Sequence, residues 1–96
     1  MTEEIADAAG TDEPATPPAT FEFLIHTLFT QALMALGRIP NPITKQSLKN
    51  LATARHFIDT LAMLENKTQG NLATEERQLL EEIQHQLRTL YVEARA

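Results

Sequence analysis

The sequence predicts an all-α protein, a three-helix antiparallel bundle preceded by a disordered tail. Two observations indicate this class: three segments carry apolar residues at helical spacing, and each is bounded by residues that typically begin or end helices. The predicted helices cover residues 21–36, 45–68 and 75–93. Because the connections between them are short, we expect successive helices to run antiparallel. The helical domain then covers residues 20–96.

Residues 1–19 form the predicted tail, and their composition differs from that of the remaining chain. Up to residue 20 the chain holds five acidic residues, three prolines and no basic residue. Such a segment has too little apolar surface to offset the entropy lost on ordering, so we predict disorder. A solubilising tail is the simplest interpretation, and a partner-binding tail is the alternative. The segment also lacks the basic start and apolar run of a secretory signal, and we expect a cytoplasmic protein.

The first predicted helix is apolar on nearly all of its surface. No residue between Glu22 and Arg38 carries a formal charge. At about 100° per residue, eight apolar residues share one broad face that suits a protein core. They are Phe21, Leu24, Ile25, Leu28, Phe29, Ala32, Ala35 and Leu36. The apolar run is shorter than the roughly 20 residues of a membrane span and includes threonine and glutamine, so we expect no membrane insertion.

Phe23 and Met34 lie on the other side of this helix, and two interpretations compete for them. Either the chain buries both faces itself, or the second face contacts another copy of the protein. A helical part of this size forms a small core, and the sequence has no cysteine to reinforce it, which favours self-association. We therefore predict a homo-oligomer, most simply a dimer. Its predicted interface consists of Phe23, Leu24, Thr27, Gln31 and Met34.

The second and third helices carry more regular signals. Thr44 is the predicted cap of the second helix, and Ile43 and Leu48 stand at the two positions of a hydrophobic staple. Its apolar arc is wide enough to contact two neighbouring helices. In the third helix, capped by Thr74, a 3-4-3-4 spacing forms a coiled-coil-type seam. The residues of that seam are Leu80, Ile83, Leu87, Leu90 and Ala94.

Four polar residues on or after the second helix form a candidate polar site. Arg55 and Asp59 are four residues apart at the edge of the apolar arc; a salt bridge is the simplest interpretation, and a binding or catalytic pair is the alternative. Lys67 and Asn71 belong to the segment KTQGNL, which has the glycine and leucine of a helix-ending turn. A ligand-binding loop is the alternative for that segment.

Each predicted helix contains one histidine, which raises the question of a metal site. By helical phase, His56 and His85 lie opposite the apolar faces of their helices, and His26 lies at the margin of its own. Rings that face outward cannot meet within one protomer, so we expect surface histidines and no metal. A metal bridge between copies is the alternative.

Catalysis and nucleic-acid binding find little support in the composition. The chain has one serine and no cysteine, and it lacks a glycine-rich phosphate loop or zinc-ligand spacing. We expect no enzymatic activity and no cofactor. The net charge of −5 comes from the tail and Glu22, because residues 23–96 hold eight basic and seven acidic residues. A nearly neutral body does not attract phosphate, and nucleic acid is an unlikely partner.

Four segments of the helical part are distinctive: FEFLIHTLFTQALMALG, the PIT sequence before the second helix, LATARHFIDTLAMLENKTQGNL and TEERQLLEEIQHQLRTLYVEA. The turn KT-x-GNL after an IDxL helix is the most specific feature among them. With these segments, most of the helical part resembles a small bacterial family known as domain of unknown function 1844. The family often has Gly and Glu where this chain has Lys45 and Gln46. The resemblance implies a small helical protein with a variable polar tail, and it implies no activity.

Together these observations favour a non-catalytic protein-interaction or scaffold module that self-associates in the cytoplasm, with another protein as a further partner. The alternative is a ligand- or nucleic-acid-associated regulator that uses the side of the second helix with Lys49 and Arg55. An enzyme is the third and weakest hypothesis.

Overall fold

A computed structural model describes residues 16–96, and these residues form three α-helices and no β-strand. The helices are α1 (Phe21–Ala35), α2 (Leu51–Lys67) and α3 (Thr74–Arg95). The predicted all-α, three-helix fold is confirmed. Most of the predicted tail, residues 1–15, lies outside the described residues.

The start and end of α1 follow the local signals in the sequence. The Thr20 hydroxyl accepts a hydrogen bond from the backbone N–H of Phe23 (3.1 Å), as expected of an N-cap. Gly37 ends the helix with a φ of +76°, a conformation that costs a residue with a Cβ roughly 1–2 kcal/mol. The predicted bounds of this helix are therefore correct to one residue.

The prediction that the second helix begins at residue 45 is wrong, because α2 begins at Leu51. The Asn41 side-chain oxygen accepts hydrogen bonds from the N–H groups of Ile43 (2.8 Å) and Thr44 (3.3 Å), which closes a turn. Lys45 then has a φ of +62°, outside the helical region. The side chain of Asn50 is the actual cap and accepts from the N–H of Thr53 at 3.1 Å.

The predicted hydrophobic staple is also absent from this connection. Ile43 is 88% exposed and Leu48 is 71% exposed, so the two side chains do not help to bury one another. A staple at these positions requires a helix that is capped by Thr44. Because α2 starts six residues after the predicted start, Ile43 and Leu48 lose that role.

The helix α3 is the longest of the three and contains the whole predicted seam. The prediction that Thr74 caps it is wrong, because Thr74 is already the first residue of the helix and Ala73 is the N-cap; the N–H of Ala73 donates to the carboxylate of Glu76 at 2.8 Å. Leu80, Ile83 and Leu87 are buried, whereas Leu90 and Ala94 are half-buried at the end of the helix.

The three helices enclose one core and run antiparallel in sequence order. The N–H of Asn50 donates to the carbonyl of Ala35 (2.7 Å), which places the start of α2 beside the end of α1. Arg38 and Glu93 form an ion pair at 2.9 Å, which places the end of α3 there as well. The buried apolar residues come from all three helices and from Leu36, directly after α1: Ile25, Ala32, Ala35, Leu36, Ala54, Ile58, Leu61, Leu80, Ile83 and Leu87.

Candidate functional site

The outer face of α1 carries the residues that the sequence predicted as an oligomer interface. Phe23 is 43% exposed and Leu24 is 44% exposed. Thr27 and Gln31 are exposed as well, while Met34 is half-buried. The sequence also predicted Leu24 on the core face of the helix. That prediction is wrong, because the exposed Leu24 lies on the outer side. We call the five residues Phe23, Leu24, Thr27, Gln31 and Met34 the α1 outer face.

This face and its margins carry no formal charge. The exposed residues of α1 are two large apolar residues, two threonines, a glutamine and a histidine: Phe23, Leu24, His26, Thr27, Thr30 and Gln31. The hydroxyl of Thr27 donates to the carbonyl of Phe23 at 3.0 Å. The side-chain donor of Thr27 is thus satisfied within the helix, so Thr27 can pack against an apolar surface without leaving a buried donor unpaired.

The structure does not bring the four residues of the candidate polar site together. Arg55 and Asp59 do form the expected pair, with Nε and Oδ2 3.7 Å apart and both side chains more than two-thirds exposed. Lys67 and Asn71 are exposed at the other end of α2. Arg55 and Lys67 are twelve residues apart, which corresponds to about 18 Å along a helix.

The turn that contains Lys67 and Asn71 has the geometry of a helix stop. Gly70 has a φ of +82°, and Leu72 packs against the core. Asn71 donates its backbone N–H to the carbonyl of Thr68 at 2.9 Å. These contacts explain the glycine and the leucine of the segment without a ligand.

Lys49 and Arg55 do not share a surface. Lys49 precedes α2, and its ammonium donates to the carbonyl of Ala94 at the end of α3 (3.2 Å). It lines a recess with Arg38 and Glu93, whereas Arg55 lines a separate groove. The two basic residues expected on one side of the second helix therefore lie on separate surfaces.

The groove beside Arg55 contains residues that the sequence reasoning did not single out. It lies between α2 and α3 and has a volume of about 330 Å³. We call it the α2–α3 groove. Its lining consists of Arg55, Ile58 and Asp59 from α2 and of Arg88, Tyr91, Val92 and Arg95 from α3. The α3 residues are spaced i, i+3, i+4 and i+7, a one-face pattern that a search for basic stripes on the third helix would have found.

One arginine of this groove, Arg88, also takes part in a buried polar contact. Gln84 is 2% exposed, and its side chain donates to the carboxylate of Glu65 (3.1 Å) and accepts from the guanidinium of Arg88 (2.8 Å). Because both ends of the amide are used, Gln84 fixes the position of Arg88 relative to α2. The apolar seam predicted for α3 did not indicate this residue.

The three histidines are exposed, as their helical phase predicted. His56 makes an edge-on contact with the ring of Phe57, the two ring centres lying 5.4 Å apart. Within residues 16–96, no group of three or more His, Cys, Asp or Glu side chains is placed to hold a metal ion.

Comparison with known protein families finds a match. The sequence model of the family described as Domain of unknown function (DUF1844) matches residues 18–93. No curated protein and no solved structure matches the chain. In the described part of the chain, no helix combines the length and the apolar character needed to cross a membrane.

Proposed function

The chain belongs to this DUF1844 family, whose description states no activity, and we propose that it is a non-catalytic interaction or scaffold module that self-associates through the α1 outer face. The observation that supports the proposal is the exposure of Phe23 and Leu24 on a helix surface without charge. Surface helices normally carry charged residues opposite the core, and α1 carries none on its exposed side.

A second copy of the same face is the partner that fits best. The face offers apolar side chains and small polar ones, and depletion of charge at the centre is typical of protein interfaces. Phe23 and Met34 lie near its two ends, eleven residues apart on the same side of α1. An antiparallel pair of α1 helices would bring each Phe23 to the partner's opposite end, which gives a closed two-fold dimer.

Replacing both end residues by polar ones, Phe23→Gln with Met34→Gln, tests the proposal. A buried large side chain contributes roughly 1.5–3 kcal/mol, so the double variant should weaken association by at least about a hundredfold. Light scattering on the full chain should show a dimer for the wild type and a monomer for the variant. Circular dichroism should show retained helix, because the core residues of α1 are unchanged.

Met63→Gln is the matched control. Met63 is 46% exposed, much as Phe23 is, but it lies on α2. Its replacement should leave the dimer intact if the effect is specific to α1. A wild-type chain that is monomeric at micromolar concentration would show that the proposal is wrong.

A ligand- or nucleic-acid-associated regulator remains the second candidate function. The observation that favours it is that Arg55 lies in one groove with Arg88 and Arg95, so this side is more basic than the second helix alone indicated. Lys49 takes no part in that groove. A gel shift that weakens steeply with salt would support nucleic-acid binding, and no shift at low salt would argue against it.

A cytoplasmic location is part of the same proposal and stays a prediction. Cell fractionation with an antibody against the chain checks it.

A further inference from the structure

The α2–α3 groove combines an apolar floor with a basic rim. Ile58 is 8% exposed and forms part of the floor, and Val92, 56% exposed, stands at its edge. Three arginines and one aspartate line the same groove, which gives a local charge of 3 − 1 = +2 on a chain whose net charge is −5. Tyrosine and arginine are enriched where proteins bind proteins, and Tyr91 lies among these arginines.

Each arginine of the groove lies beside a different neighbouring side chain. Arg88 donates to Gln84 at 2.8 Å, and the guanidinium of Arg95 lies 5.7 Å from the centre of the Tyr91 ring. Arg55 lies 3.7 Å from Asp59. The hydrogen bond to Gln84 positions Arg88, and because a guanidinium has five N–H donors, all three arginines keep most of their donors for carboxylates. Positioned groups lose less freedom on binding than mobile ones.

We propose that the N-terminal segment of the same chain docks in this groove. Residues 3–7 have the sequence Glu-Glu-Ile-Ala-Asp, in which one large aliphatic side chain is flanked by three carboxylates. Ile5 covers the apolar floor, and Glu3, Glu4 and Asp7 meet the arginines of the rim. A partner-binding role of this kind is one that the composition of the segment allows.

The chain between the segment and the bundle is long enough to reach the groove. The ion pair of Arg38 with Glu93 places the end of α1 near the end of α3, and therefore near the groove. The start of α1 is then one helix length away from the groove, about 22 Å for 15 residues. Residues 6–20 span up to about 50 Å when extended. The additional length allows the chain to pass around α2 or α3, since no residue of α1 lines the groove.

Other occupants fit the groove less well. A single-stranded nucleic acid needs a basic track with several aromatic rings, and this groove has one tyrosine among aliphatic side chains. A small organic anion would be enclosed in a typical ligand pocket, whereas this groove is open and its arginines are exposed. An acidic peptide with an aliphatic side chain matches both the floor and the rim.

A spin label on the full chain tests the proposal. The sequence has no cysteine, so a nitroxide attached to the variant Ala8→Cys is the only label. The label should broaden the NMR signals of Val92 and Tyr91 and leave those of Met63 unchanged. The broadening should disappear in Ile5→Ser and in the triple variant Glu3→Gln, Glu4→Gln, Asp7→Asn.

Charge reversal in the groove provides the complementary experiment. Arg55→Glu with Arg88→Glu should abolish the broadening of Val92, whereas Arg77→Glu, an α3 reversal outside the groove, should not. Unchanged broadening in the double reversal, or none in the wild type, would overturn the proposal.

A mixture of spin-labelled chain with unlabelled, isotope-enriched chain separates docking within a copy from docking between copies. We expect no broadening of the signals of the unlabelled chain in the mixture. Broadening of those signals would show docking between copies and would overturn docking within one chain. Light scattering on the same samples measures the oligomer size, so docking in the groove and association through the α1 outer face are tested by different measurements.

Discussion

Gln84 shows how a single residue links the core to the surface. It is the buried polar residue of the core in the described part of the chain, and its amide joins Glu65 of α2 to Arg88 of α3. Glu65 is half-buried and Arg88 is exposed, so both partners can take water in its place. The contact therefore sets the position of α3 relative to α2 more than it stabilises the fold.

Gln84→Met should reduce the free energy of unfolding by about 1–3 kcal/mol, because two hydrogen bonds with a net value of about 0.5–1.5 kcal/mol each are lost while the volume is nearly retained. Leu87→Ala, one turn away and fully buried, should cost about 2–5 kcal/mol, since it leaves a cavity. Urea unfolding of both variants measures the difference. An equal or larger loss for Gln84→Met would show that the polar contact is a main source of stability.

The second helix shows which element bounds could be predicted from the sequence. Thr44 with Ile43 and Leu48 matches a helix start, yet Pro42 and the turn closed by Asn41 keep this segment out of the helix. The competing signal is Asn50, an equally good cap six residues later. For α1 the cap and the apolar spacing agree; for α3 the cap is Ala73, one residue before the predicted Thr74, and the bounds of both helices are correct to within two residues.

Asn50→Ala should destabilise the protein by about 0.5–2 kcal/mol, because it removes the side chain that accepts from the N–H of Thr53. Thr44→Ala should stay within about 0.5 kcal/mol of the wild type, as expected of an exposed loop residue. Thermal unfolding followed by circular dichroism compares the two. If Thr44→Ala were the more damaging variant, the second helix would begin at residue 45 as the sequence pattern indicated.

The α2–α3 groove could not be predicted at this scale, because its residues come from two helices. Arg55 was recognised as an edge residue of α2, and the four α3 residues form a regular stripe. Helical spacing places each set on one face but does not say which faces meet. That requires the relative rotation of α2 and α3, which the buried side chains of both helices determine together.

The molecule as a whole has an uneven distribution of charge and apolar surface. Within residues 16–96, the charged residues lie on α2, α3 and the connections, whereas α1 has Glu22 as its one charged residue. The linker after α1 adds two strongly exposed apolar residues, Ile43 and Leu48. In an antiparallel pair of α1 helices, the linker of each copy would lie near Phe23 of the other, which extends the apolar contact.

The orientation of this pair can be tested by chemical crosslinking, because the chain has no cysteine of its own. Phe23→Cys and Met34→Cys are made as separate variants, one with a tag that changes its mass. With a short thiol crosslinker, an antiparallel dimer should give a mixed product when the two variants are combined and little product from either alone. A parallel dimer would instead link Phe23→Cys to itself. Gln86→Cys, exposed on α3, is the control for random collision, and light scattering confirms that each variant still associates. Crosslinking of both α1 variants at the level of this control would show that α1 is not the surface through which the copies meet.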